Sequence, residues 1–371
     1  MKVLHISPTF FDDASVIGGA ERYVWELTKA MTAFAEVSLV TFGPSRRRET
    51  RDGVAIEQLR RLPIIEHPLA SNPVTWRFLR AIGRADVVHC HQVDTFPTAV
   101  GVLAARMMGK PVFVTDLGGG HMYAPTNYLP ILRSVSGFLL ISEYSRAMWQ
   151  QAPRARQPER LDVIYGGVDT QHFAPGGTKD PNMVLYVGRL LPHKGIEHLI
   201  DALEAPMRLH VVGRPYDAPY FAMLQERARG KAVVFEHDVD DRGLVERYQR
   251  ALVSVLPSVP TDWRGQTTAV AELFGLVVVE AMACGTPAIV SRTTSLPELV
   301  EDGRTGWIVP PADAMALRER LRLVHADPAL AASMGAAARA HVMAQFTWRA
   351  TAERCLSAYR IALAAKGRGD L

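Results

Sequence analysis

Two glutamates eight positions apart are the residues whose spacing most clearly predicts chemistry. Glu272 and Glu280 bound the run ELFGLVVVE, with Glu272 in a predicted loop and Glu280 inside the helix that follows. Carboxylates around a helix start can hold the hydroxyls of a sugar and a ribose, while the first-turn N–H groups of residues 275–277 attract a diphosphate. The alternative is structural, because acidic residues at helix starts also favour the helix dipole.

A glycine-bounded loop with two cations is the second candidate. The sequence GRLLPHKG begins at Gly188, directly after a predicted strand, and carries Arg189 and Lys194. Glycine permits close approach of the backbone, and two converging cations would hold a diphosphate leaving group. The alternative is a pair of ordinary surface bases. The chain contains no GxxxxGK(S/T) loop of the Walker A type.

A glycine pair follows the first predicted strand. Gly18 and Gly19 open the segment GGAE, where backbone N–H groups would face a phosphate or a sugar. The spacing differs from the GxGxxG of dinucleotide-binding folds, so this segment alone is a weak indication.

The elements that must position these motifs alternate between strands and helices. In the first half the pattern predicts strands at 2–7, 37–42, 87–91, 112–116 and 138–142, and helices after Gly19, at 74–82 and at 97–108. After a Pro- and Gly-rich stretch at 174–181 it predicts strands at 184–188, 209–213, 233–235, 252–257 and 288–290, with helices from Ile196 and at 276–283. This alternation indicates an α/β chain with two doubly wound parallel sheets. Ligands bind outside the carboxyl ends of such strands, which is where the motifs lie.

Composition and length define the class of protein. The chain has 371 residues, 48% hydrophobic and 22% charged, which fits a soluble chain of two domains. A net charge of +4 is small for this length, so no nucleic acid is expected as a partner. Three widely spaced cysteines (Cys90, Cys284 and Cys355) form neither a disulfide framework nor a metal cluster, and they indicate a reducing cytoplasm. No apolar run approaches the ~20 residues that cross a bilayer, and no targeting segment is recognised.

One cluster of arginines is much more basic than the small net charge of the whole chain. Its members lie between the second and third predicted strands: Arg46, Arg47, Arg48, Arg51, Arg60 and Arg61. Such a cluster is either a solvated loop or a contact with an acidic membrane surface or an anionic acceptor.

Taken together, the ordered motifs resemble a known family. GGAE, GRLLPHKG and the glutamate pair are followed by AMACGTPAIVS and DGRTGWIVPP. This set resembles the GT4 family of retaining glycosyltransferases, over nearly the whole chain. The resemblance implies the GT-B fold, in which two Rossmann-like domains face a central cleft. It also implies a nucleotide-sugar donor held mostly by the C-terminal domain, an acceptor held mostly by the N-terminal domain, and a tail helix that returns to the N-terminal domain.

The resemblance implies a role for each matching residue. Arg189 and Lys194 would neutralise the donor diphosphate, Glu272 would hold donor-sugar hydroxyls, and Glu280 would bind the ribose. The other implied donor-binding residues are Gly18, Gly19, Gly188, Val239, Phe274, Gly275, Leu276 and Val277.

A histidine in the first half is the last catalytic candidate. His121 follows TDLGGG, near where the family has a histidine beside the donor sugar and the attacking hydroxyl. Asp116, at the strand end, is a lesser candidate. His89 and His91 share one face of a predicted strand and Cys90 points to the other, which favours core or sheet-edge histidines over a metal site.

Two segments depart from the family pattern. Residues 166–169 read GGVD where the family usually has NGVD, so any contact from that asparagine amide is lost. Residues 259–271 form an extra stretch, VPTDWRGQTTAVA. It is either a lid or acceptor-reading element carrying Asp262, Trp263 and Arg264, or a plain surface insertion.

A third segment resembles a metal site of another fold. Asp238 and Asp240 flank Val239 in a D-x-D pattern, but in the GT4 layout this segment lies near the nucleotide base. No metal and no cofactor is therefore expected.

The resemblance implies a retaining hexosyltransferase that acts by front-face attack, and the composition predicts a cytoplasmic protein. Its expected domains are an N-terminal acceptor-binding domain (1–173), a C-terminal nucleotide-sugar-binding domain (174–345) and a returning helix (346–371). The donor would be a UDP- or GDP-linked sugar, and the acceptor a small molecule, a glycan or a lipid-linked group, with peripheral membrane contact through the N-terminal domain left open. The alternatives are a GT-B nucleotide-sugar 2-epimerase, a sugar phosphorylase and a non-catalytic sugar-nucleotide-binding protein.

Overall fold

The chain forms two compact units. The computed structural model describes residues 1–8, 19–60, 73, 75–118, 129–153 and 157–369. The first unit comprises Met1–Gly167 with Trp348–Leu371, and the second comprises Val168–Thr347. Across the described ranges, no helix combines the length and the apolar character that crossing a bilayer requires.

In the described ranges of the first unit, eight strands form one sheet. They are β1 (Lys2–Ile6), β2 (Glu36–Gly43), β3 (Arg47–Arg51), β4 (Val54–Arg60), β5 (Val87–His91), β6 (Val112–Thr115), β7 (Gly137–Leu140) and β8 (Leu161–Val163). Their spatial order is β3-β4-β2-β1-β5-β6-β7-β8, and neighbours are parallel except β3 with β4. The first unit also contains the helices α1 (Gly19–Met31), α2 (Leu79–Arg84), α3 (Phe96–Met107) and α4 (Glu143–Gln150).

The central strands of this sheet are buried along their whole length. All residues of β5, β6 and β7 are buried, as expected when helices cover both faces of a parallel sheet. The hydroxyls of Thr95 and Ser142 accept hydrogen bonds from first-turn amides of α3 and α4, which fixes the starts of these helices within five residues of the ends of β5 and β7. The carboxyl ends of the strands therefore meet helix starts at one edge.

The basic cluster at residues 46–60 is a β-hairpin, which corrects the interpretation of this segment as a loop. β3 pairs antiparallel with β4, and the turn residues Asp52 and Gly53 have φ angles of +49° and +77°. A two-residue Asp-Gly turn with positive φ angles matches the twist of paired strands, which explains the hairpin. Arg46 and Arg48 both pair with Glu57, at 3.0 and 2.7 Å. Arg61 lies outside the described residues.

The second unit has a six-stranded, fully parallel sheet. Its strands are β9 (Asp180–Val187), β10 (Arg208–Val212), β11 (Val233–Glu236), β12 (Ala251–Leu256), β13 (Ala288–Ser291) and β14 (Gly306–Val309). Its helices are α5 (Ile196–Ala202), α6 (Ala218–Arg227), α7 (Asp241–Arg250), α8 (Leu276–Ala283), α9 (Ala314–Ala326) and α10 (Pro328–Gln345). The order β11-β10-β9-β12-β13-β14 reverses between β9 and β12, and this reversal opens a crevice at their carboxyl ends. The two parallel sheets that the sequence predicts are thus confirmed.

The tail helix α11 (Trp348–Gly369) belongs to the first unit. Its Trp348 packs edge-to-face on Tyr23 of α1 at 5.1 Å between ring centroids. Farther along, the Tyr359 hydroxyl is 2.7 Å from Nδ1 of His89 in β5. The helix thereby covers both α1 and the sheet of that unit.

Candidate active site

The loop after β9 begins and ends at glycines with positive φ angles. Gly188 has φ +151° and Gly195 has φ +63°. A Cβ at Gly188 would lie 2.9 Å from the Oη of Tyr186, and one at Gly195 would overlap the carbonyl oxygen of Pro257, just after β12. The amide of Val259 also donates to the carbonyl of His193 at 2.9 Å in this loop. The loops after β9 and β12 therefore touch at the point where the strand order reverses.

Lys194 and Glu272 form an ion pair across these two loops. The Nζ of Lys194 is 2.6 Å from Oε2 of Glu272 and 3.2 Å from the carbonyl oxygen of Ala271. Lys194 is only 8% exposed, and Glu272 is half-buried. Two acceptors occupy two of the three N–H bonds of the ammonium group, so one N–H bond remains for a ligand oxygen. The structure therefore brings two predicted catalytic residues together in one pair.

Arg189 stands near the start of the same loop and is exposed. Its guanidinium group pairs with no carboxylate in the part of the chain that the structure describes. The Tyr186 hydroxyl donates to the Arg189 carbonyl oxygen at 3.1 Å, which fixes the backbone at this residue. An unpaired guanidinium beside a crevice is suited to a phosphate group, which it can bind with two parallel hydrogen bonds.

The start of α8 follows the second of these two loops. Gly275, the residue before the helix, has φ +100°, and a Cβ there would lie 3.1 Å from Leu296 and 3.2 Å from Leu299. Within the described ranges the amides of Leu276 and Val277 donate to no protein acceptor, as is usual in a first turn. These N–H groups carry the positive end of the helix dipole.

A serine holds the backbone that leads into α8. The Ser295 hydroxyl lies 3.1 Å from the carbonyl oxygen of Glu272 and 3.3 Å from that of Phe274. The Phe274 side chain is buried against Phe346, at 5.9 Å between ring centroids. Phe274 could therefore contact a nucleotide-sugar donor only through its backbone.

Glu280 lies in the second turn of α8 and is 3% exposed. Its Oε2 accepts a hydrogen bond from the Tyr248 hydroxyl at 3.0 Å. The helix thus places this carboxylate inside the second unit, and its predicted contact with a ribose stays a prediction.

The D-x-D segment follows β11, and both of its carboxylates have other partners. Asp238 pairs with Arg214 at 3.1 Å, and Asp240 caps α7 by accepting the Gly243 amide at 2.7 Å. Val239 between them is half-buried. The two carboxylates serve an ion pair and a helix cap, so the pattern needs no metal to explain it.

Residues 259–271 form a loop that is held to the rest of the unit by an ion pair of Arg264. The Arg264 guanidinium binds both carboxylate oxygens of Asp217, at 2.7 and 2.8 Å, and Asp217 caps α6. Asp262 accepts two amides of its own loop at 2.8 and 3.0 Å. Trp263 remains 45% exposed, with the Arg264 guanidinium 4.9 Å from its ring centroid. An acceptor-reading role therefore rests on Trp263 alone and stays a prediction.

Four predicted residues belong to the first unit. Gly18 and His121 lie outside the described residues, and Gly19 is the first residue of α1. Asp116, just after β6, accepts the Trp149 indole N–H at 3.3 Å and the Gly118 amide at 3.1 Å. Those two hydrogen bonds give Asp116 a structural function at the end of its strand.

The histidines of β5 are joined by a third histidine from β1. His5 Nδ1 lies 2.9 Å from His91 Nε2, and His89 Nε2 lies 2.7 Å from Thr115 Oγ1. The ring planes of His5 and His91 differ by 12°, and those of His89 and His91 by 33°. One ring nitrogen of each histidine lies within 4.8 Å of the others, close enough for a metal ion. Each nitrogen of His5 and His89 already has a protein partner, however, since His5 Nε2 also contacts the Met31 sulfur and His89 Nδ1 the Tyr359 hydroxyl. The geometry is that of a hydrogen-bonded core cluster.

This cluster makes the stability of the protein depend on pH. Burial lowers the pKa of His5 to about 3 and lowers the pKa values of His89 and His91 well below their ordinary value. Below about pH 6.5 the unfolded chain therefore binds more protons than the folded chain. We expect full stability above pH 6.5 and a progressive loss below it, at about 1.4 kcal/mol per pH unit for each histidine that stays unprotonated in the folded chain.

Chemical unfolding across this pH range measures the effect. In His91→Leu we expect a shallower pH slope, because one titrating imidazole is removed. The control Val88→Ala, in the same buried strand, should lower stability equally at all pH values. An unchanged slope in His91→Leu would contradict the assignment.

Several contributors to the site carry no signal in the sequence. Tyr248, Ser295 and Asp217 act through partners more than 20 residues away in the chain. Gly195 does carry one, because it directly follows the short helical turn Pro192–Lys194, and a glycine just after a helical turn commonly has a positive φ angle.

Comparison with known proteins identifies the family. The model described as Glycosyltransferase Family 4 matches residues 17–172, and the model described as Glycosyl transferases group 1 matches residues 168–341. The two matches meet near the boundary between the two units.

Curated and solved relatives extend over most of the chain. A GDP-mannose-dependent alpha-(1-6)-phosphatidylinositol monomannoside mannosyltransferase of Mycolicibacterium smegmatis is 30% identical, covering 78% of this chain and 82% of its own. A D-inositol 3-phosphate glycosyltransferase of Acidothermus cellulolyticus is 28% identical, covering 98% and 90%. The crystal structure of Anabaena HepE with UDP and glucose superposes with a TM-score of 0.71 at 20% identity, covering 96% and 98%.

These matches confirm the GT-B class of fold that the motifs imply. The chain belongs to glycosyltransferase family 4 and is a glycosyltransferase.

Proposed function

We propose that the enzyme transfers a hexosyl unit from a UDP- or GDP-linked sugar to an acceptor hydroxyl with retention of configuration. One observation carries the proposal: the Lys194–Glu272 pair lies at the reversal point of the second sheet. The unpaired Arg189 and the free amides at the start of α8 belong to the same pair of loops. This set combines cations for a diphosphate with a carboxylate for sugar hydroxyls.

The slow step of such a transfer is departure of the diphosphate from an oxocarbenium-like sugar. Lys194 offers its remaining N–H bond to the leaving oxygen, and Arg189 neutralises the second phosphate. The amides of Leu276 and Val277 stabilise the same developing charge without having to reorient. Glu272 holds Lys194 in place through Oε2, and its other oxygen accepts a donor-sugar hydroxyl.

The bond changes balance within donor and acceptor. The bond between the anomeric carbon and the β-phosphate oxygen breaks, and the acceptor oxygen bonds to the same face of that carbon. The acceptor proton passes to a leaving-phosphate oxygen. No carboxylate is assigned as a covalent nucleophile, which distinguishes this route from the two-carboxylate scheme of retaining glycosidases.

The positive charge in this scheme comes from the protein itself. Arg189, Lys194 and the α8 amides are proposed to replace a divalent metal, and no other cofactor is invoked. Glu280 is proposed to bind the ribose hydroxyls and Val239 to lie near the base. The resemblance still implies a role for His121 beside the donor sugar.

The relatives support a nucleotide-sugar donor but differ in its base. HepE was crystallised with UDP and glucose, whereas the mannosyltransferase relative is GDP-mannose-dependent. Both named acceptors contain an inositol, so a cyclitol or sugar hydroxyl is the acceptor class that we propose.

A two-stage experiment tests the proposal. In a thermal-shift screen, UDP or GDP at 100 times its Kd should add about 2.7 kcal/mol of stability. Slow hydrolysis of the matching α-linked sugar donor, followed by NMR, should release the α-anomer first, at a rate that EDTA leaves unchanged. A β-anomer as first product would contradict retention, and a rate abolished by EDTA would contradict the metal-free scheme.

The same assay separates the alternatives. A 2-epimerase would convert the donor sugar into its 2-epimer, and a binding protein would show the thermal shift without turnover. A phosphorylase would release sugar phosphate only when inorganic phosphate is added.

A further inference from the structure

The outer side of α2 and α3 exposes large apolar side chains. Met107 is 87% exposed and Leu103, one turn earlier on α3, is 44% exposed. Trp76, one turn before α2, is 61% exposed. A Cβ at Gly83 of α2 would lie 4.0 Å from the sulfur of Met108, so the exposed faces of the two helices adjoin.

Unpaired cations surround these apolar groups. The basic residues on the same two segments are Arg77, Arg80, Arg84, Arg106 and Lys110. None of them forms an ion pair within the described parts of the chain. Lys366 of the tail helix adds a further cation, since its Nζ lies 3.7 Å from the position of a Cβ at Gly109.

The arginines of the β3–β4 hairpin provide a contrast. Arg46 and Arg48 share Glu57, and the Arg51 guanidinium stacks 4.3 Å from the ring centroid of Trp25. Their charges are compensated or covered, although they form the densest basic cluster of the sequence. Five cations without a carboxylate partner in the described ranges lie instead on the segments of α2 and α3.

We propose that this α2–α3 surface docks the enzyme on an anionic lipid bilayer. Arginine and lysine keep their charged ends at lipid phosphates while their aliphatic stems cover apolar surface. Tryptophan and methionine side chains enter the boundary between headgroups and acyl chains, and basic residues nearby add electrostatic attraction. Both components of such a surface are present on these two helices.

The position of the surface in the unit is compatible with catalysis. α2 ends directly before β5, and the turn after α3 ends directly before β6. Arg84 and residues 107–110 therefore lie at the amino ends of the strands. The carboxyl ends, where ligands bind in parallel sheets, face the other way and stay accessible in a docked unit.

The composition favours a bilayer over two other partners. A soluble polyanion would be bound by the cations alone and gains little from a methionine that is 87% exposed. A second copy in a symmetric dimer would place the same cations against each other, which is repulsive. A bilayer uses the charges and the apolar groups together.

Vesicle flotation of the full-length protein tests the proposal. We expect binding to vesicles of phosphatidylglycerol with phosphatidylcholine, and little binding to phosphatidylcholine alone or in 1 M salt, where the Debye length is ~3 Å. Arg80→Glu with Arg106→Glu should weaken binding roughly 25-fold or more, at about fivefold per lost cation. Met107→Ser should weaken it several-fold at unchanged charge.

The matched control is Arg229→Glu with Arg242→Glu, which reverses two exposed arginines of the second unit. This variant should bind vesicles like the wild type. Equal weakening by the control pair, or no binding of the wild type to anionic vesicles, would overturn the proposal. So would full binding by Met107→Ser, or a concentration-dependent dimer that is lost in Met107→Ser while vesicle binding is absent.

Discussion

Replacing Lys194 with methionine is expected to lower kcat for sugar transfer by about 10²-fold or more. Methionine keeps most of the length of the side chain but removes the ammonium group that pairs with Glu272 at 2.6 Å. The leaving diphosphate then loses its buried cation, and the carboxylate of Glu272 is left without its partner. Initial rates at saturating donor measure kcat, and the donor KM is measured separately.

Two arginine variants accompany this prediction: Arg189→Ala, which tests the same clamp, and Arg229→Ala, which is the control. Arg189→Ala should also lower kcat, because its guanidinium is proposed to neutralise the same diphosphate. Arg229→Ala removes an exposed arginine whose one carboxylate partner among the described residues is Glu226, and its kcat should stay within about twofold of the wild type. The proposed diphosphate clamp is wrong if Lys194→Met and Arg189→Ala keep full activity.

Replacing Gly195 with alanine is expected to cost about 3 kcal/mol or more of the free energy of unfolding. The φ angle of +63° is unfavourable for alanine, and the new Cβ overlaps the carbonyl oxygen of Pro257. Relief of the overlap must separate the loops after β9 and β12, so activity should fall as well. Denaturant unfolding of the full chain gives the change in stability.

Gly230 separates the two causes of that loss. It has φ +73° and nothing within 4 Å of a Cβ, so Gly230→Ala carries only the backbone strain. We expect a cost of about 1 kcal/mol there, without loss of activity. Equal costs at the two positions would show that the loops do not touch as described.

The parts of the site that are local in sequence could be predicted from it. α8 spans Leu276–Ala283 as expected, because a continuous apolar run follows a glycine and a loop. The loop from Gly188 to Gly195 could also be predicted, because a glycine directly follows the apolar run of β9. Both elements depend on neighbours along the chain, and the parallel order of the sheet then brings their ends together.

The partners of the site residues could not be predicted in this way. The Tyr248 hydroxyl reaches Glu280 from 32 positions away, and Arg264 reaches Asp217 from 47 positions away. Such pairs depend on which helix packs beside which strand, and a single sequence does not contain that information.

The histidine cluster shows the same limit. Alternation along β5 placed His89 and His91 on one face, as the structure has them. His5 joins them because β1 pairs with β5 in the register His5 to His89, which no local pattern indicates. The β3–β4 hairpin, by contrast, could be predicted from the dipeptide Asp52-Gly53, which is typical of a two-residue hairpin turn, but not from the charges of the segment.

A crystal structure with bound nucleoside diphosphate tests the central claim most directly. With UDP or GDP, we expect the β-phosphate within hydrogen-bond distance of the Lys194 Nζ and of the amides at the start of α8, with Arg189 turned onto it. A diphosphate bound elsewhere, with the Lys194–Glu272 pair unchanged and Arg189 still in solvent, would contradict the account.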